Sequence, residues 1–177
     1  QGVRCAHWDS PNRRCFALSR RFVLPLSLAL GIKEKQLMSL TLIIHLIAIG
    51  IWIGVVGAEF AIEFDGMKND ESHIKASKMH YITDMWVEIP AFTTVFITGA
   101  LMLNESHLSG LFLYKLIFAL LAIIFNIVCV YAVFKRRKFA LVSDIEGMKS
   151  TDTVMKIGGL IIPTFIVAFV LSIWVAL

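Results

Sequence analysis

Five acidic and imidazole side chains recur at helical spacing in and beside apolar sequence. Glu59 and Glu63 are four apart, and His80, Asp84 and Glu88 follow at i, i+4 and i+8. Each set can line one helical face. Imidazole and carboxylate are ligands for a divalent metal, so His80 and Asp84 are candidate metal ligands. Glu59 and Glu88 are candidate proton-carrying groups in a catalytic role. The spacing is not the tight HExxH signature of a metalloenzyme, and the same residues can equally form intrahelical hydrogen bonds and a charge network near a membrane surface.

Two further polar residues stand alone inside apolar runs, His45 and Lys115. His45, Trp52, Glu59 and Glu63 are separated by 7, 7 and 4 residues, which puts all four on one stripe. His45 suits a ligand role or a hydrogen bond to a neighbouring helix. Lys115, about one turn from the outer border, suits a stem that carries its ammonium outward to the membrane surface. Asn126 and Cys129 read as polar and small residues facing other helices.

What must position these groups is a set of membrane helices. Of 177 residues 58% are hydrophobic and 17% charged, with a mean hydropathy of +0.77, too apolar for an ordinary soluble domain. Four apolar stretches, 39–64, 85–103, 111–134 and 157–177, each have the ~20 residues that a helix needs to cross about 30 Å of hydrocarbon. Transmembrane strands would be about half as long and would alternate. The expectation is an all-α integral membrane four-helix bundle, with short loops making antiparallel, up-down neighbours. Pro90 and Pro163 should kink the second and fourth helices. Gly50, Gly54, Gly57, Ala58 and Ala61 make parts of the first helix narrow, suited to close packing, to a flat ligand or to a homo-oligomer contact.

Residues 1–37 differ in kind, with seven basic residues against two acidic, so the segment carries +5 and the remainder −1. The basicity therefore belongs to this leader and gives no reason to expect nucleic-acid binding by residues 38–177. The leader reads as a targeting segment or as upstream non-native sequence, because Met38 immediately precedes the first span. Cys5 and Cys15 lie in it and Cys129 in the third span, which makes no disulfide framework. The loop after the first span carries Lys68, Lys75 and Lys78, and the loop after the third carries the KRRK run 135–138, Lys149 and Lys156. By the positive-inside rule both face the cytoplasm, which leaves both termini of the core outside an inner membrane and has the KRRK run close the third helix at the inner surface.

The run IHLIAIGIWIGVVG, Ile44 to Gly57, resembles the first-helix pattern His, six residues, Trp, one residue, Gly of HemJ-type protoporphyrinogen oxidases and copper-resistance-D-like (CopD-like) small membrane proteins. SGLFLYKLIFALLAIIF, Ser109 to Phe125, is similar to the HemJ-type third helix with its Lys-Leu pair, and Pro90 and Thr98-Gly99 are similar to the second. The resemblance covers most of 38–177. It implies a haem b held in the bundle, His45 as axial ligand, and Lys115 as second ligand or as partner of a haem propionate or porphyrin carboxylate, with Trp52 beside the cofactor. Glu59 and Glu63 stand where that pattern has basic and aromatic residues, and Asn126 where it has an aromatic or histidine. These departures bear on porphyrinogen oxidation more than on the scaffold.

The leading expectation is a haem b redox protein, one form of which is a membrane oxidoreductase acting on a porphyrin or other small substrate. The first alternative is a copper or other metal-ion transporter using His45, Met102 and the inner carboxylates as successive sites. The second is a structural subunit.

Overall fold

The computed structural model describes residues 34–104 and 110–176; residues 1–33, including Cys5 and Cys15, lie outside the described part. Described residues outside the turns are helical: α1 (Glu34–Gly66), α2 (Asp70–Thr83), a π turn (Asp84–Glu88), α3 (Ile89–Met102), α4 (Gly110–Leu141), α5 (Ile145–Lys149), α6 (Asp152–Gly158) and α7 (Ile161–Ala176). They make four spans long and apolar enough to cross a membrane, Lys35–Gly66, Asp70–Met102, Gly110–Leu141 and Ile145–Val175. The four-helix, all-α, multi-pass membrane architecture expected from the sequence is the one observed.

The helices outrun the apolar stretches that announced them. At 1.5 Å per residue α1 is about 50 Å long, against a hydrocarbon thickness of about 30 Å. In spans two, three and four the excess falls at the end bearing the connections between spans one and two and between spans three and four, here called the basic end, whereas α1 extends mainly at its N-terminus. Span two begins there with α2, whose Asp70, Glu71, His73, Lys75, Lys78 and His80 suit water or a polar interior, and whose N-terminus is capped by Asn69 accepting from the Ser72 amide at 2.8 Å. The KRRK run does not close the third helix: α4 continues through it to Leu141, because lysine, arginine, phenylalanine and alanine all propagate a helix. It ends in a turn where Ser143 takes a positive φ of 56°. Likewise α1 starts at Glu34, so the last residues of the basic leader belong to the first helix.

Both prolines act where expected, by different means. Pro90 offers no N–H, and the backbone just before it opens into the π turn, in which the Ile89 amide bonds to the Asp84 carbonyl. Span four is broken ahead of Pro163 at Gly158–Leu160, where turn bonds such as Ile162 N to Gly159 O at 3.3 Å replace regular helix. Gly158 lets span four lie close against α4: a Cβ there would stand 2.7 Å from that of Cys129.

Close packing runs one to two, two to three and three to four, and among the described residues there is no comparable packing between spans one and four. An apolar core of Ala48, Trp52, Val55, Ala91, Val95, Ala122 and Ile161 ties the middle together, with Trp52 edge-on to Phe165 at 6.1 Å. The outer faces stay apolar, with Leu46, Ile47, Ile124 and Phe169 all exposed, as expected where lipid is the solvent. Gly50, Gly54 and Gly57 are on that exposed side, and a Cβ added at any of them would meet nothing within 4 Å, so this narrow face packs against no other described part of the chain.

Candidate functional site

The buried polar residues gather at the level where the apolar length of each span meets the basic end. Asp84 (0% exposed), Glu88 (2%), His80 (4%) and Glu59 (6%) are inside the bundle, contributed by α1, α2 and the π turn. The π turn is why Asp84 and Glu88 both face inward directly ahead of a proline: it takes up one residue more per turn than an α-helix would.

His80 is the hub. Its Nδ1 meets Glu63 Oε1 at 2.8 Å, and this bond sets the plane of the ring. Its Nε2 then points between Glu59 Oε2 at 3.5 Å and Asp84 Oδ1 at 3.4 Å. Neither contact has hydrogen-bond geometry: His80 Nε2, Glu59 Oε1, both Asp84 oxygens and Glu88 Oε2 are buried without a hydrogen-bond partner. One ligand atom each from Glu59, His80 and Asp84 falls within 4.8 Å of the other two.

Behind this cluster Arg136 of α4, 3% exposed, closes a four-span clasp. Its guanidinium donates to Glu63 Oε2 at 2.7 Å, contacts His73 Nε2, and lies 3.7 Å from Asp152 of α6. Glu63 therefore uses one oxygen to orient His80 and the other to hold Arg136. Asn126 and Cys129, on the same face of α4, line the cavity next to the cluster; Asn126 accepts from Trp52 Nε1 at 2.9 Å. The cavity, about 980 Å³, is bounded by spans one and four at its sides and by His80, Glu88 and Arg136 at its back.

Of the residues singled out from the sequence, Glu59, His80, Asp84 and Glu88 come together here with Glu63. His45 and Lys115 do not join them. They lie toward the opposite end, where His45 Nδ1 meets Thr98 Oγ1 at 2.8 Å, and a Cβ on Gly99 would stand 3.3 Å from the imidazole. The charge of Lys115 reaches the His45 ring, and its ammonium sits 4.6 Å from the centre of the Phe112 ring. Trp52 is a 3% exposed core residue between the two regions. Sequence reasoning did not single out Arg136 or His73 for the site.

The class that this fold and site define is a polytopic α-helical membrane protein with a buried histidine–carboxylate centre. No protein-family description, curated protein or solved structure matches the chain.

Proposed function

We propose that this is an inner-membrane protein that binds a transition-metal dication at Glu59, His80 and Asp84, and that handling or moving that ion is its task. One observation carries the reading. The Nε2-to-oxygen separations of 3.4 and 3.5 Å are too long and too poorly aligned for hydrogen bonds. They match the ~3.4 Å between neighbouring ligands of a tetrahedral ion held at about 2.0–2.2 Å. Desolvated lone pairs without donors are costly, and a cation among them removes that cost. One imidazole with two carboxylates suits zinc, iron or manganese better than a soft thiophilic ion, and Glu88, one helical turn from Asp84, is placed to complete the set. The lysine-rich connections support a cytoplasmic basic end, and with it an opening of the cavity toward the cytoplasm.

The test is ion binding by the full chain in detergent, followed by calorimetry and by the visible spectrum of added cobalt(II). Wild type should take up one ion, and Asp84→Asn and His80→Gln should each weaken it 10–100-fold, the range typical for damage to a metal site. Absence of binding, or unchanged affinity in both variants, reduces the cluster to an imidazolium held by carboxylates.

The haem b reading rests on different residues and has its own support. His45 is held through Nδ1 by Thr98, as ligating imidazoles commonly are, and Lys115 is within charge range. It ranks second because the cavity beside the cluster is not lined by either residue. A Soret band in the purified protein that His45→Ala removes would reverse that order.

A further inference from the structure

The cavity is far larger than an ion needs. Its volume of about 980 Å³ is some thirty times the ~30 Å³ occupied by one water and lies at the upper end of the range for organic ligands. It is also a cleft between helices, because the backbones of spans one and four stay apart although Trp52 meets Phe165 in the middle.

Both walls change character along the same direction. On span one the lining passes from Lys68 through Phe64 and Phe60 to Val56, and on span four from Lys149 and Lys156 through Met155 to Leu160 and Ile161. Each wall is charged at the basic end and apolar toward the membrane centre: Lys68 stands beside Asp70 on the first, and Lys149 and Lys156 flank Asp152, held by Arg136, on the second. Phe60, Phe64 and Leu160 are exposed, which places the cleft's apolar part in contact with lipid. Polarity of this profile, a lysine-bearing collar followed by parallel apolar walls, is complementary to an anionic headgroup followed by a hydrocarbon chain.

The charges leave room for that headgroup. Lys68 is paired with Asp65 at 2.5 Å, and Arg136 holds Glu63 and Asp152. Lys149, the last residue of α5, and Lys156 on α6 are both exposed and both line the cavity at its rim. Arg136 Nε is buried without a hydrogen-bond partner in the wall below them.

We propose that the cleft between spans one and four is a lateral site for a phosphate-headed membrane lipid, with the phosphate at Lys149 and Lys156 and one chain running between Phe60 and Leu160. The ion ligands Glu59 and His80 line the same cavity deeper in, but none of the headgroup residues is among them.

The experiment is native mass spectrometry of the full chain released from micelles doped with dioleoyl phosphatidic acid. Wild type retains one lipid per chain, and Lys149→Gln/Lys156→Gln lowers retention at least tenfold. Lys75→Gln/Lys78→Gln, which removes two exposed lysines at the same end but outside the cavity, leaves it unchanged. Dioleoyl glycerol, which has the chains without the phosphate, is not retained. Equal loss in both double variants means diffuse surface attraction and overturns the site; so does undiminished retention in Lys149→Gln/Lys156→Gln. Displacement of the lipid by inorganic phosphate at equal concentration makes the occupant a free phosphate compound and overturns the lipid assignment. Retention by Asp84→Asn, measured alongside, separates this outcome from that of the ion site.

Discussion

Replacing Arg136 by methionine removes a cation that links all four spans, while keeping an unbranched stem of similar reach. Glu63 then keeps only His80, and His73 and Asp152 lose their contact with the guanidinium. Breaking a buried ion pair from one side costs about 3–5 kcal/mol, since a charge is left without compensation. Glu63 retains 27% exposure and Asp152 42%, so solvent screening places the expected loss near the lower limit, about 3 kcal/mol. Adding Glu63→Gln removes the unbalanced negative charge while leaving His80 Nδ1 a side-chain partner, and should recover part of that loss. Equilibrium unfolding by dodecyl sulfate in mixed micelles measures all four corners of the cycle. A loss below about 0.5 kcal/mol for Arg136→Met, the range of ordinary surface changes, would mean that the clasp bears no weight and that something other than Arg136 joins the spans at the basic end.

Other expectations follow from single contacts. Gly158→Val should destabilise by about 1–3 kcal/mol through overpacking, because its Cβ would stand 2.7 Å from that of Cys129; unfolding at wild-type detergent concentration would show that the break in span four yields freely. Trp52→Phe should cost about 1 kcal/mol from the lost bond to Asn126, seen as a lower unfolding midpoint, with little effect on ion binding. Gly54→Leu should leave the monomer's stability within about 0.5 kcal/mol, since open space surrounds that position; a change in sedimentation would instead assign the narrow face of α1 to contact between copies.

The spans were legible because membrane helices announce themselves by length and apolarity alone, and no tertiary contact can override a requirement set by the solvent. Their ends were not, since Lys135–Lys138 carry the same charge whether they stop a helix or continue it into water. Glu59, His80, Asp84 and Glu88 were legible as a set because ionisable groups at membrane depth turn inward. Arg136 was hidden in its own run, where a charge cluster reads as a solvated face. Register was the available signal: Ala122, Asn126, Val133, Arg136 and Ala140 are buried on α4, and Arg136 continues the face that Ala122 and Asn126 begin. The break at Gly158 depended on what α4 presents at Cys129, a pairing that no spacing within span four encodes.

The wide turn at Asp84–Glu88 couples chain length to the alignment of the whole centre. Winding the same residues as uninterrupted α-helix up to the proline would cost insertion in the bilayer little. It would also turn everything on one side by about 100° relative to the other, the angle that one residue occupies in an α-helix. His80 and Glu88 would then look in different directions from a helix that still crosses the membrane. The one residue taken up in the wide turn thus separates a bundle that carries the centre from one that has only the scaffold.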